Sequence, residues 1–277
     1  MPDLRENLLT LAEHGFHAAA QLCKACYHYH ALWGYERLAG IKSNGFETER
    51  DFLEPLLNSE LREQGRVLIA GAADAGLLAF VAQTTSNRAA GITVADRCAT
   101  PLAVCRAYAA AYGLKVATEV TDLTLDAIPT AHDLAFAHNV LMLQPLEKHA
   151  AFLGNIRRSL LPSGKLVLVN RVRAAKPSAR LPPEHYATRL IEALSARGIA
   201  LPEGEADFRK RLEAYAEQQH AWSDAIVELG HVERAFDDAG FRILRRIDHD
   251  RRRTIPDRDG GPPMPMMTHI FVVTPGH

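Results

Sequence analysis

The order of apolar and polar residues predicts a helical segment at the start of the chain, over residues 1–62. Apolar residues recur there at steps of three to four, at Leu8, Ala12, Phe16, Ala19 and Cys23. That spacing places them along one face of a helix. A second pattern begins after this segment, so residues 63–277 are predicted to form the main domain.

Short continuous apolar runs alternate with helical patterns from residue 66 onward. The runs predict strands over residues 67–70, 92–95, 116–120, 132–137, 166–169, 241–247 and 270–273. Strands that alternate with helices favour βαβ units, and unbroken apolar strands are typical of a sheet buried on both faces. The predicted fold is therefore α/β and doubly wound, with a mostly parallel seven-stranded sheet. The last two strands are joined by a loop, which predicts an antiparallel C-terminal edge strand.

A charged helical stretch over residues 171–222 interrupts the alternation after the fifth strand. We interpret it as a helical insertion above the sheet, which would act with the N-terminal segment as a lid.

Composition narrows the class of protein. The 277 residues carry 32 Lys and Arg against 33 Asp and Glu, so there is no basic excess of the kind that nucleic-acid binders show. No apolar run reaches the roughly 20 residues that cross a bilayer, and the polar N-terminus is not expected to act as a secretory signal. With four cysteines and no disulfide framework, the expected location is the cytoplasm. Both a monomer and a homodimer fit the sequence.

The residues that follow the first three strands are candidate ligand-binding groups, because ligands bind at the carboxyl ends of parallel strands. Residues 71–76 form a loop rich in Gly and Ala, which lets a backbone approach a ligand closely. Asp96 follows 20 residues after Gly76, as expected of a carboxylate that binds the ribose of a nucleoside. Asp122 ends the third strand beside the apolar Leu123. A tight turn and ordinary capping residues remain the alternative interpretation.

With these residues in this order, residues 64–274 resemble the class I S-adenosylmethionine (SAM) dependent methyltransferases. The segments 132–135, 160–166 and 239–241 also resemble that family. The resemblance implies that SAM is the cofactor and that residues at the strand ends bind it. The implied cofactor-binding residues are Gly71, Ala72, Ala73, Asp74, Asp96, Arg97, Asp122, Leu123 and His138.

The chain departs from the family at three positions of the first strand and its loop. Ile69 stands where the family usually has an acid that supports the methionine amine of SAM, and Ala73 and Ala75 stand where it has glycines. Asp74 is the nearby carboxylate that could replace this acid. A nicotinamide dehydrogenase would instead need the complete G-x-G-x-x-G motif, which is absent.

The reacting centre is expected after the fourth strand, at His138 and Asn139. His138 is a candidate general base because its ordinary pKa lies near neutrality. Asn139 could hold a substrate amine or the SAM amine. The alternative is that both residues only brace the loop. The Asn-Pro-Pro-aromatic motif of amide-nitrogen methyltransferases is missing, which favours a small-molecule substrate.

An aromatic stretch over residues 27–35 offers candidates for contact with the sulfonium ion of SAM. Aromatic faces attract cations, so Tyr27 or Trp33 could close over the sulfur. The alternative is a packed helix face.

The cysteines and histidines do not predict a metal site. Cys23 and Cys26 have the spacing of a half zinc motif, but they lie on a predicted helix with no second pair beside them in the sequence, so core packing is the better interpretation. Cys98 and Cys105 are expected to be buried on one helix face.

Three functions remain open. The first is methyl transfer from SAM to a small-molecule acceptor, with the lid segments excluding water. The second is cyclisation of SAM to azetidine-2-carboxylate and methylthioadenosine, without an acceptor. The third is a catalytically inactive protein that keeps the fold for binding.

Overall fold

The computed structural model describes residues 7–42, 45–85, 88–173, 182–222, 228–251 and 266–276. The helices are α1 (Leu8–Leu22), α2 (Tyr27–Leu38), α3 (Gly45–Thr48), α4 (Arg50–Glu60), α5 (Gly76–Thr85), α6 (Ala99–Tyr112), α7 (His149–Arg158), α8 (Pro183–Ser195), α9 (Glu205–Trp222) and α10 (Leu229–Asp238). The strands are β1 (Gly65–Ala70), β2 (Ala89–Asp96), β3 (Val116–Val120), β4 (His132–His138), β5 (Leu160–Arg173), β6 (Phe241–Arg251) and β7 (Met266–Pro275).

The seven strands form one sheet in the order β3-β2-β1-β4-β5-β7-β6. The neighbours from β3 to β5 are parallel, and β7 is antiparallel to both β5 and β6. This confirms the predicted doubly wound, mostly parallel sheet whose last strand is antiparallel.

The position of the antiparallel strand differs from the sequence expectation in one respect. β7 lies between β5 and β6, so β6 is the strand at the edge. Burial explains the order: Ile270, Phe271, Val272 and Val273 of β7 are all buried, whereas residues 242–246 of β6 are exposed. A strand without exposed side chains needs a neighbour on each side, and a strand rich in arginine suits an edge.

The strands β1, β2, β4, β5 and β7 each contribute to two hydrophobic clusters, because their side chains alternate between the faces of the sheet. Val67 and Ile69 of β1 pack on one face with α4, α5 and α6. Leu68 and Ala70 pack on the other face with α7 and α10. Burial on both faces explains why the strands are continuous apolar runs in the sequence.

A third cluster joins the N-terminal helices α1 and α2 to the insertion helices α8 and α9, and we call these four helices the helical layer. Phe16, Tyr35, Leu190, Phe208 and Tyr215 lie in its core. By contrast α4, which the sequence analysis grouped with the N-terminal segment, packs in the same cluster as the sheet. Within the described residues, no helix combines the length and apolar character needed to cross a membrane.

Candidate functional site

The ends of β1, β2 and β3 lie side by side at one edge of the sheet. The Gly71 amide donates a hydrogen bond to the Ala95 carbonyl over 2.8 Å, and the Thr121 amide donates to the Asp96 carbonyl over 3.0 Å. The Ala72 amide donates to Asp96 Oδ2 over 3.0 Å. The residues at the ends of β1, β2 and β3, which the sequence analysis singled out, therefore lie side by side. We call this edge, from Gly71 through Asp96 to Asp122, the rim.

The backbone conformation and the surroundings of Gly71 both disfavour any residue type with a side chain at this position. Its φ of +86° is in the left-handed region, which favours glycine. A Cβ atom at this position would lie 2.7 Å from Cγ2 of Val140, in the loop after β4. The absence of a side chain lets the ends of β1 and β4 approach each other.

The Asp96 carboxylate is fixed from both sides by backbone amides. Oδ2 accepts from the Ala72 amide and Oδ1 accepts from the Cys98 amide over 2.8 Å. Burial raises the pKa of this carboxyl above its ordinary value. A carboxylate has about four lone-pair sites, so each oxygen retains one for a ligand hydroxyl. Arg97, the next residue, is exposed.

The Asp74 carboxylate connects the first loop to the helical layer. Oδ1 accepts from the Gly76 amide over 2.7 Å, and Oδ2 forms an ion pair with Arg37 of α2. Both side chains of this pair are largely buried. Both oxygens of Asp74 therefore have partners within the chain, which leaves this residue less suited to replace the acid missing at Ile69.

Asp122 and Leu123 have structural contacts in the turn after β3. Asp122 Oδ1 accepts from the Thr124 amide over 2.9 Å, as expected of a turn-capping residue. The Leu123 side chain is buried in the core, and its carbonyl accepts from Asn155 Nδ2 over 2.9 Å.

His138 and Asn139 belong to a buried polar network at the end of β4. His138 Nε2 lies 2.8 Å from Oε2 of Glu49, and His138 Nδ1 lies 3.2 Å from Nδ2 of Asn139. An amide nitrogen can only donate, so Nδ1 accepts and Nε2 donates its proton to Glu49. Glu49 is fully buried, and its Oε1 accepts from the Thr268 hydroxyl over 3.2 Å.

Sequence reasoning missed Glu49. It lies among other polar residues between α3 and α4, and nothing in its spacing connects it to His138, which is 89 residues away.

Asn139 is one of two described non-glycine residues with a positive φ, at +56°. Such residues are concentrated at functional sites, because surrounding contacts must hold them in place. Its Oδ1 atom is buried and has no hydrogen-bond partner within the described part of the chain. A buried acceptor without a partner is costly, so this oxygen is a candidate ligand contact.

The two aromatic candidates each contact a cation of the chain itself. The Arg211 guanidinium lies 4.8 Å from the Tyr27 ring centroid and donates to the Tyr27 hydroxyl. Lys42 Nζ lies 4.4 Å from the ring centroid of Trp33. These contacts favour the packed helix face as the interpretation of both rings, although Trp33 also lines a cleft beside the first loop.

A cleft of ≈ 380 Å³, including space open to solvent, separates the helical layer from the first loop. Trp33 and Arg37 line it on the side of α2, and Ala73, Asp74 and Gly76 line it on the side of the loop. The helical layer thus borders the first loop.

The four cysteines are unpaired and differ in burial. Cys98 and Cys105 are buried, as the sequence predicted, whereas Cys23 and Cys26 are only half-buried. Three of the four thiols lie together with His30, at the point where α1 and α2 meet α6. Hydrogen bonds with Cys23 and Cys26 lower the pKa of Cys98 below its ordinary value.

No protein-family model and no curated protein matches the sequence. Solved structures do match the fold. The SAM-dependent methyltransferase SibL is 17% identical with a TM-score of 0.51, over 91% of this chain and 58% of that chain. The N-methyltransferase NodS from Bradyrhizobium japonicum WM9, in complex with S-adenosyl-L-homocysteine, is 15% identical with a TM-score of 0.50, over 90% of this chain and 98% of that chain.

The pyocyanin biosynthetic protein PhzM is 15% identical with a TM-score of 0.50, over 98% of this chain and 72% of that chain. At these identities the likeness concerns the backbone alone. The strand order and the antiparallel β7 point to the same fold as these structural neighbours do. The chain has the fold of the class I SAM-dependent methyltransferases.

Proposed function

We propose that this protein binds SAM at the rim formed by β1, β2 and β3 and transfers its methyl group to a small molecule. The observation that carries the proposal is the Asp96 carboxylate, which two backbone amides hold at the end of β2. Its remaining lone pairs would accept hydrogen bonds from the two ribose hydroxyls. The same adenosine would extend toward Asp122 at the end of β3.

Two further features fit the methionine part of SAM. Gly71 lets the loop after β4 lie against the end of β1, because a side chain at this position would collide with Val140. The buried Oδ1 of Asn139 has no partner within the described residues and would accept from the methionine amine. Glu49 and His138 would act as positioning residues, because their hydrogen bonds fix the Asn139 amide group.

When bound, SAM supplies a methyl group on a positively charged sulfur, which an acceptor can attack directly. The chain would contribute mainly by holding the two reactants in contact, which is a large part of catalysis in such displacements. The helical layer would exclude water from the cleft. His138 has partners at both ring nitrogens, so we assign it to positioning rather than to proton removal.

A small-molecule acceptor agrees with the net charge of −1, which disfavours nucleic acid. The fold neighbour PhzM is a pyocyanin biosynthetic protein, which agrees with small-molecule chemistry on this scaffold.

The test begins with isothermal titration calorimetry of the folded protein against S-adenosyl-L-homocysteine and SAM. We expect one site per chain for both ligands. The protein is then incubated with SAM and a panel of small amines and phenols, and products are identified by mass spectrometry. Formation of S-adenosyl-L-homocysteine only with an acceptor supports methyl transfer. A folded protein that shows no heat at millimolar ligand would instead be a binding or assembly protein that has lost the cofactor.

Cyclisation of SAM is a second candidate, favoured by the side chain at position 69. Ile69 is fully buried where the resembling family has an acid, so the methionine amine would lack a carboxylate that keeps it charged. A neutral amine nitrogen can attack the γ-carbon of its own side chain. The N–C bond forms as the C–S bond breaks, its electron pair leaves with methylthioadenosine, and the nitrogen loses one proton to solvent.

Incubation with SAM alone distinguishes the two reactions. Methylthioadenosine and azetidine-2-carboxylate in equal amounts, formed above the rate of spontaneous decay, would establish cyclisation. Stable SAM in the absence of an acceptor would eliminate it.

A further inference from the structure

Four metal-ligating side chains converge where the helical layer meets the sheet. Cys23 follows the end of α1, Cys26 precedes the start of α2, His30 lies in the first turn of α2, and Cys98 precedes α6. Their ligand atoms all lie within 4.8 Å of one another. From this geometry we infer that Cys23, Cys26, His30 and Cys98 form a structural zinc site.

The distances agree with the size of a tetrahedral zinc site. Cys23 Sγ lies 3.3 Å from His30 Nδ1 and 3.4 Å from Cys98 Sγ. Zinc bonds of about 2.3 Å to sulfur and about 2.0 Å to nitrogen place neighbouring ligands of a tetrahedron about 3.5 to 3.8 Å apart. Small movements of the side chains would therefore admit the ion.

The local structure orders the ligands before an ion binds. The Cys23 amide donates to the Ala19 carbonyl over 3.0 Å, and the His30 amide donates to the Cys26 carbonyl over 3.2 Å. The Thr100 hydroxyl lies 3.0 Å from Cys23 Sγ, where it can donate to a thiolate. Hydrogen bonds to the ligands from outside the coordination sphere are typical of metal sites.

The ligand set of three thiolates and one imidazole indicates which ion would bind and whether it would be structural or catalytic. Soft sulfur ligands in a tetrahedral arrangement are typical of zinc, and four protein ligands leave no position open for a substrate. The ion would therefore be structural rather than catalytic. Half-buried Cys23 and Cys26 also agree better with ligands than with core packing, since core cysteines are usually fully buried.

The site would fasten the helical layer to the rim of the sheet. Cys98 supplies both a zinc ligand and the amide that donates to Asp96 Oδ1. Zinc would hold the turn between α1 and α2 against this strand end. This role does not depend on the reaction that the protein catalyses.

The test uses the full chain, purified under reducing conditions without a chelator. Mass spectrometry of the metal content should find one zinc per chain. Added Zn²⁺ should raise the melting temperature of the protein stripped of metal. Replacement of zinc by Co²⁺ should give the absorption bands of a tetrahedral cobalt ion with thiolate ligands.

Two substitutions make the test specific. Cys26→Ser should fold, because serine is favoured before a helix, yet it should lose roughly 100-fold or more in zinc affinity, as measured by competition with a chelating dye. Cys105→Ser is the matched control: it removes a buried cysteine outside the group and should keep one zinc.

Three results would overturn the inference. One is a folded wild-type protein that neither retains zinc nor gains stability from it. Another is equal zinc affinity in Cys26→Ser and Cys105→Ser. The third is a zinc-free purified protein that contains a disulfide between Cys23 and Cys98.

Discussion

At the scale of single residues, Asp96 and Gly71 have the clearest relation between structure and expected function. Gly71 directly follows β1 and Asp96 is the last residue of β2, so both lie at the carboxyl end of a strand. Asp96 is a half-buried carboxylate held by two amides, and Gly71 is a glycine in a conformation that other residues avoid.

We expect Asp96→Asn to weaken the binding of S-adenosyl-L-homocysteine by roughly 10- to 100-fold. The substitution removes the negative charge that accepts the ribose hydroxyls, and hydrogen bonds to charged groups contribute about 1.5–3 kcal/mol each. Calorimetry measures the effect. Asp126→Asn is the control, because Asp126 is exposed in the turn after β3. This variant should bind the ligand with the affinity of the wild type. Unchanged affinity in Asp96→Asn would refute the ribose assignment.

Gly71→Ala should destabilise the protein by about 2 kcal/mol, since alanine at φ +86° is strained and its Cβ meets Val140 at 2.7 Å. Urea unfolding followed by circular dichroism measures the loss. In Gly154→Ala the new Cβ meets nothing within 4 Å on helix α7, so this control should be neutral or slightly more stable. Equal stability of the two variants would contradict the requirement for glycine at position 71.

At the scale of elements, a buried charged group joins α2 to the insertion helices. Glu36 of α2 is fully buried and accepts from the hydroxyls of Tyr186 on α8, over 2.6 Å, and Tyr215 on α9, over 3.0 Å. Lys42 forms an ion pair with Glu36 and donates to the Tyr215 hydroxyl over 2.6 Å. The helical layer is therefore held by a polar network as well as by its apolar core.

Lys42→Met should lower the free energy of unfolding by about 3 kcal/mol. It removes the ammonium that neutralises a buried carboxylate, and such a charge is costly without its partner. The double variant Lys42→Met with Glu36→Gln removes both charges and should recover part of the loss. Urea unfolding of the two variants provides the comparison. If the double variant is no more stable than the single one, the charge pair does not explain the effect.

At the scale of the whole molecule, a buried neutral histidine contributes to the dependence of stability on pH. His132 Nδ1 lies 3.1 Å from the Ser159 carbonyl and Nε2 lies 3.1 Å from the Thr93 hydroxyl. The carbonyl can only accept, so Nδ1 carries the proton and Nε2 accepts from the hydroxyl. Burial lowers the pKa of His132 below its ordinary value of 6.5.

The unfolded chain therefore takes up this proton before the folded protein does. The stability that neutral His132 contributes is fully present above pH 6.5 and is lost as the pH falls toward the lower folded-state pKa. Between pH 7.5 and 5.5 the loss should reach up to about 1 kcal/mol, and His132→Gln should remove that part of the pH dependence. The exposed His185 offers a control, His185→Gln, that should keep the wild-type profile. Identical profiles for all three proteins would disprove the assignment.

The sequence by itself determined the elements of the sheet and the residues at the strand ends. Runs such as Val67–Ala70 are local patterns, so burial on both faces can be recognised without knowing the neighbours. Gly71 and Asp96 follow such runs directly, and parallel strands bring their ends to one edge. These features depend on short stretches of chain and on general rules of connection.

Only the tertiary structure decided which distant side chains meet. Glu49 reaches His138 across 89 residues, and Cys98 reaches Cys23 across 75. The place of β7 between β5 and β6 also depends on packing across the whole sheet. The spacing of residues in the sequence shows the periodicity within one helix or strand. It does not show which other element packs against that helix or strand, because the packing of the complete chain sets the contacts between elements.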